Sequence, residues 1–320
     1  MVIVHDEVWL PYRDQSGWIM TSLIYSIFLL IFLLLLANVR SINGLANNSV
    51  ASDTAVQLES YLQLQQIRQA LIAWSVSSAN PGMLPCPEDS SLIGTANEGS
   101  AQSNCSNQLN LGHLPWRTLG LGKIQDSHGD AFWYAVSAGF CRSPVNSNQP
   151  ANIDLDGQAM AAIVIAPGRP LTGQVRLQHE QDPLQFLDQQ NADGDTHFNS
   201  LTKCTGCNDL IIGLSKNQLF ASVQPRVLQE IRGNNSFGLM RFWNQSAYFP
   251  FADMNQDSIA DEGIYQGYVS YSGDANSLVF YSASSWLKKN NWFSLVRYQL
   301  SPNQKKVTLI LNQQSLEVSP

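Results

Sequence analysis

One uncharged stretch constrains this chain more than any other. From Trp18 to Ala37 it reads WIMTSLIYSIFLLIFLLLLA, without an ionisable side chain. About 20 residues at ~1.5 Å rise span roughly the 30 Å hydrocarbon core of a bilayer. A helix there would pair every backbone amide internally, which the bilayer demands. Two other readings fit less well. A cleaved secretory signal would be shorter, preceded by basic residues and followed by an A-x-A site. A buried core helix would show polar interruptions at helical spacing, and the leucine-rich half has none. The sequence therefore predicts a single membrane crossing, with the lipid bilayer as one partner and everything after Arg40 on one side. Charge does not orient it, since Arg13 precedes the run and Arg40 follows it.

The remainder of the 320 residues is enough for one large or two small domains with a true core. Charged residues make up only 13%, and the net charge is −7. No Lys/Arg cluster is present to neutralise phosphates, so a nucleic-acid partner is excluded from the expectations. All five cysteines, Cys86, Cys105, Cys141, Cys204 and Cys207, follow the apolar run. Cysteines confined to one side of a membrane point to an oxidising compartment. An odd number leaves at least one free or paired elsewhere.

After a polar segment at 40–52, Asp53 or Thr54 is placed to cap a second helix. Tyr61, Leu64, Ile67, Leu71 and Trp74 recur at helical spacing, an apolar stripe whose opposite side is rich in glutamine. Leu64, Ile67, Leu71 and Trp74 are assigned to packing of the helix, on the following domain or on neighbouring subunits. Asn80-Pro81-Gly82 ends it. Strands are expected at 132–136, 159–166, 209–214, 267–271, 278–282, 292–300 and 307–311, and a helix over 218–231 capped by Ser215 or Asn217. Strands and helices are segregated, which predicts α+β with an antiparallel sheet.

Several motifs invite chemistry. Leu84-Pro85-Cys86-Pro87 fixes an extended backbone, and a Cys86–Cys105 disulfide would close the polar loop that follows, contributing about 3 kcal/mol by loop entropy. Cys204-Thr205-Gly206-Cys207 admits a redox pair, a zinc site with His179 or His197, or a small structural disulfide, with Cys141 a competing partner. Neither a helix start nor a second ligand pair accompanies it, so the structural disulfide is preferred. Asp253, Asn255, Asp257, Asp261 and Glu262, with the carbonyl of Ile259, place oxygens at alternating positions of a tight loop. Calcium takes such a set. The pattern resembles a calcium loop with Ser258 where glycine is usual and Ile264 where glutamate is usual, and an acidic solvated turn is the plain alternative. Asn191, Asp193 and Asp195, like Asp154 and Asp156, read as Asx-rich turns. His113 and His128 lie near Trp116 and Asp126, but no nucleophile motif accompanies them. The chain is therefore expected not to be an enzyme.

Gly17 before a long apolar helix, then an amphipathic helix and a β-rich head, resembles a type IV pilin or type II secretion pseudopilin. The head's Leu84-Pro85-Cys86-Pro87, Gly112-His113-Leu114-Pro115-Trp116, Thr118-Leu119-Gly120-Leu121, Asn191-Ala192-Asp193-Gly194-Asp195 and Asn291-Trp292 look like a bacterial pilin-like group carrying an LPCP element. The resemblance implies a long N-terminal helix, transmembrane then amphipathic, packed on an antiparallel β-sheet head. The divisions would be a cytoplasmic leader (1–17), a transmembrane helix (18–39), a stem helix (40–78) and a periplasmic head (79–320). It implies prepilin cleavage between Gly17 and Trp18, an inner-membrane location, and assembly with other pilin-like subunits of a pilus or secretion machine. Ser22 departs from the pattern, standing where that family carries the glutamate that pairs with a neighbour's N-terminal amine, and the leader lacks basic residues. The alternative expectation is a membrane-anchored periplasmic enzyme or carbohydrate-binding protein.

Overall fold

The computed structural model describes residues 48–105, 109–204, 206–271 and 285–320. The Gly17–Trp18 junction, the apolar run 18–37 and the strand expected at 278–282 lie outside the described residues. The chain divides into two compact units, Met1–Val56 and Gln57–Pro320.

Helix α1 (Asn48–Ser77) has 30 residues. Leu64, Ile67 and Leu71 are fully buried, with Ser60 and Ser75 extending the same line at the spacing of one helix face. Trp74 is half-buried and Tyr61 is exposed, so the buried line runs beside the one the large side chains suggested. The Ser60 hydroxyl lies 2.8 Å from that of Ser127. At the far end the Arg226 guanidinium donates to the carbonyls of Val76 and Ser78, two of the acceptors a helix terminus leaves unpaired.

The class is α+β with mainly antiparallel sheets, but the architecture differs from a long membrane-to-stem helix on one sheet. The described helix begins only at Asn48. Among the described residues no helix is long and apolar enough to cross a membrane. The physical reason lies in α1 itself: glutamines flank a narrow buried line, so this helix covers a core on one side only. Among the described residues there are also three sheets rather than one.

The first sheet orders β1 (Leu109–His113), β2 (Trp133–Ser137), β5 (Ala162–Ala166) and β7 (Leu210–Leu214), all antiparallel. Every residue of β2 and β5 is buried. The period-2 alternation of side chains divides them between two cores. Tyr134, Val136, Ala162 and Val164 join the cluster that holds Leu64, Ile67 and Leu71. Trp133, Ala135, Ile163 and Ile165 join a smaller cluster with Phe186, Leu187 and Phe198. The apolar run expected as one strand over 159–166 is divided between this sheet and a second one. That one orders β4 (Gln158–Met160), β3 (Ile153–Leu155) and β6 (His197–Phe198), with β3 and β6 parallel. The short helix α2 (Gln189–Ala192) precedes β6.

Helix α3 (Lys216–Arg232) starts on a capping box in which Ser215 and Gln218 satisfy each other's backbone amides. Its face Leu219, Val223, Val227 and Ile231 is fully buried, and the helix packs on the strands Val307–Leu311 and Gln314–Val318. Helix α4 (Gly238–Ser246) follows. The third sheet orders β11 (Gln314–Val318), β10 (Val307–Leu311), β9 (Arg297–Leu300) and β8 (Gln266–Tyr268), antiparallel throughout. Helix α5 (Ser285–Lys289) lies between β8 and β9 in the chain.

Candidate functional site

The LPCP element is held from two sides. The Tyr134 hydroxyl donates to the Pro85 carbonyl at 3.0 Å, and the Glu88 amide donates to the carbonyl of His113 at 2.9 Å. Cys86 and Cys105 are joined in a disulfide with Cα atoms 5.7 Å apart. Glu88 thus stands at the base of the closed loop, beside the end of β1. Its side chain is 4% exposed. One carboxyl oxygen accepts the Gly99 amide at 2.5 Å. The other lies 3.7 Å from Nδ1 of His113, too far for a direct hydrogen bond. Gly99 has a φ of +85°, and a Cβ there would fall 2.2 Å from the Trp116 ring. Only glycine lets the loop approach this closely.

Glu88 and His113 line a cavity of about 360 Å³, together with Trp116, Lys123, Asp130 and Arg176. Burial is the main influence on Glu88, His113 and Asp130. It pushes the Glu88 carboxyl above the usual range, against the opposing Gly99 amide. It lowers His113 to about 4, leaving the imidazole neutral. His113 stacks edge-on against Trp133, ring centres 4.8 Å apart. Its Nε2 and the indole nitrogen of Trp133 are buried without a hydrogen-bond partner. A carboxyl raised by burial and a neutral imidazole thus place hydrogen-bonding groups in one cavity.

Arg176 forms the cavity's rigid wall. Its guanidinium donates to Asp130, to the carbonyls of Gly168, Gln185 and Phe186, and to the Gln174 amide oxygen. That uses all five of its N–H groups. Asp130 is nevertheless raised by burial, with Arg176 opposing. On the rim Glu98 is ion-paired with Lys123 at 2.7 Å and held below its ordinary value by that bond.

A second buried polar group lies between α2 and β7. The carboxylates of Asp188 and Asp209 each accept the other residue's backbone amide, at 2.9 Å in both directions. The Asn191 amide adds a bond to Asp209 at 2.8 Å. Burial and the neighbouring Asp188 charge push Asp209 up to about 7. One oxygen of Asp209 has no hydrogen-bond partner.

The sites suggested by the sequence fall as follows. In the 253–262 loop, Asp253 is buried and accepts the amides of Gln256 and Ser258, both at 2.7 Å. Asp257 accepts the Ile259 amide, Asn255 accepts the Asp257 amide, and Asp261 accepts the Met254 amide. Ile259 and Glu262 are exposed. The loop's carboxylates are engaged by its own backbone, and among the described residues the grouping of three metal-capable side chains is Cys86, Cys105 and Cys141. Asp193 and Asp195 accept amides of their own turn, and Asp154 accepts the Gly157 amide. Cys204 and Cys207 are joined, with Cα atoms 5.6 Å apart. His128 sits beside Asp126, whose oxygens also hold the amides of Asp130 and Gly168. His113 belongs with Glu88, a pairing that spacing alone did not suggest.

Sequence reasoning missed Glu88, Arg176 and the Asp188–Asp209 pair. A usable signal existed for the first, a glutamate two residues inside a disulfide-closed loop. Arg176 carries no local pattern. Comparison of the chain with known protein families, curated proteins and solved structures found no match.

Proposed function

We propose that residues 79–320 act as a binding module for a neutral polyhydroxyl ligand, a carbohydrate, on a chain tethered to a membrane by its apolar N-terminal run. The observation that supports this most is Glu88, a buried carboxyl raised by burial that lines a cavity beside neutral His113. Hydroxyl groups can satisfy such donors and acceptors without bringing a charge into a desolvated site. Trp116 supplies an aromatic wall on the same cavity. Binding is favoured over catalysis because the other two glutamates on the cavity are engaged, Glu98 by Lys123 and Glu180 by the amides of Gln181 and Asp182. A pair of catalytic carboxyls needs both groups available to the substrate. The test is a thermal-shift screen of the full-length chain against neutral mono- and oligosaccharides. Ligand that binds only the folded state raises Tm by mass action. At least one sugar should do so, and Glu88→Ala should abolish the response. A flat screen at millimolar sugar would overturn the proposal.

A second reading, assembly with neighbouring copies, is favoured by one observation. Leu58, Tyr61 and Leu62 on α1 are 57%, 46% and 60% exposed. They fall at i, i+3 and i+4 and so share one face. Photo-crosslinking from position 61 in membranes should capture a second copy, and exclusively monomeric product would remove this reading.

A further inference from the structure

Cys141 is the cysteine left without a disulfide partner. It is not isolated. It is buried, and its sulfur and those of Cys86 and Cys105 all lie within 4.8 Å of one another. The thiol sits 3.1 Å from the Cys105 carbonyl and 3.4 Å from that of Ala138. The Asn110 side-chain amide approaches the sulfur at 3.9 Å. Three positions far apart in the chain thus bring their sulfurs to one buried point: the LPCP turn, the end of the polar loop, and the segment after β2.

We propose that these three cysteines form a thiol–disulfide exchange site, in which Cys141 takes over either end of the Cys86–Cys105 bond. The Cys141 thiolate attacks one sulfur of the disulfide. A new S–S bond forms to that sulfur, the old one breaks, and the other cysteine leaves as a thiolate that takes up the proton Cys141 gave up. No electrons are gained or lost, so no external oxidant or reductant enters. Attack at Cys86 frees Cys105 and moves the tether of the LPCP turn to the segment after β2. Attack at Cys105 frees Cys86 and opens the loop that carries Gly99. Either product keeps one cross-link and one thiol.

Exchange needs the thiolate. Burial raises the Cys141 thiol and Arg142 opposes this, while Tyr134 is raised by its own burial and then by the Cys141 charge. The reaction is accordingly favoured by alkaline conditions. It is independent of what the Glu88 cavity binds, although the loop between Cys86 and Cys105 carries that cavity's Glu88 and Glu98.

The test maps disulfides in the full-length chain. Protein held at mildly alkaline pH is quenched with acid, alkylated, and digested after glutamate and after basic residues. Cleavage at Glu98 separates Cys86 from Cys105, and cleavage at Arg117 and Lys123 separates Cys105 from Cys141. Peptides linking Cys141 to Cys86 or Cys105 should increase with time at alkaline pH, with no link from Cys141 to Cys204 or Cys207. In Cys105→Ser, produced in an oxidising compartment, Cys86 and Cys141 should be cross-linked. Cys86→Ser should give Cys105–Cys141. The proposal is overturned if Cys141 is always recovered as an alkylated thiol, or if it links indiscriminately to Cys204 and Cys207. Should both serine variants fail to fold, the wild-type map alone decides.

Discussion

The Glu88 cavity and the 253–262 loop are both acidic, and they use their carboxylates in opposite ways. In the loop, Asp253, Asp257 and Asp261 accept backbone amides of the same turn. Glu88 accepts one amide from across its loop, that of Gly99, and lines a cavity with His113. The loop has the spacing that suggests a ligand, whereas the cavity brings together a carboxyl raised by burial and a neutral imidazole. Alternating acidic residues therefore report local turn geometry at least as readily as binding. Burial without full compensation is the more informative sign.

Removing the wall of the cavity should have the largest effect. Arg176→Ala leaves the partly buried Asp130 carboxyl without its partner and orphans three carbonyls, so it should cost about 3–5 kcal/mol in denaturant unfolding. A loss below about 1 kcal/mol would show that the wall is not held by this clamp. Next comes the loop. Asp253→Ala strands two amides on residues with positive φ, Gln256 and Ser258, and should cost about 2–3 kcal/mol. Asp257→Ala, on an exposed side chain, should stay within about 0.5 kcal/mol. Equal effects would mean that the loop is not organised around Asp253.

The pH response separates the two cavity groups. His113 is lowered to about 4 from 6.5. Between those values the unfolded chain binds the proton more strongly, so stability is lost as pH falls from 6.5 to 4. Glu88 is raised from 4.5. The folded chain holds that proton more tightly, so its contribution is greatest at low pH and is lost as pH rises through its folded value. The slopes oppose each other. Glu88→Gln, which retains an acceptor for the Gly99 amide, should steepen the acid-side fall in Tm by a few degrees. An unchanged profile would show that Glu88 titrates normally. The smallest expected effect is that of calcium. Asp253, Asp257 and Asp261 already order the loop through its own amides, so millimolar Ca²⁺ should move Tm by less than about 1 °C. A rise of several degrees would reverse the comparison and make the loop the binding site.

Much of the fold was legible where local rules agree. The apolar runs of β2 and β5, the Ser215–Gln218 cap of α3 and the alternation in β10 all act over short range. Less was legible where packing decides. β1 is a short strand, Leu-Asn-Leu-Gly-His, with a glycine and an asparagine inside it. α4 opens on Gly238 and mixes good helix formers with Phe242, Trp243, Asn244 and Ser246, which are weaker ones. β11 alternates around polar residues at the chain's edge. The buried line of α1 passes through Ser60 and Ser75 rather than Tyr61 and Trp74, because small hydroxyls fit where the helix approaches the head closely. The site was less legible still. Glu88, His113 and Arg176 come from segments tens of residues apart and meet only through the sheet and the disulfide-closed loop. No spacing rule encodes that meeting. The 253–262 spacing was plain in the sequence, but which groups occupy its oxygens depends on the backbone turn.

The most direct test follows the glutamate side-chain carboxyls of the full-length chain by ¹³C NMR through a pH titration, before and after adding a sugar that raises Tm. The resonance lost in Glu88→Gln should titrate at higher pH than those of the exposed glutamates, and it should shift when the sugar is present. A Glu88 that titrates with the exposed glutamates, or that does not respond to a bound sugar, would contradict the account.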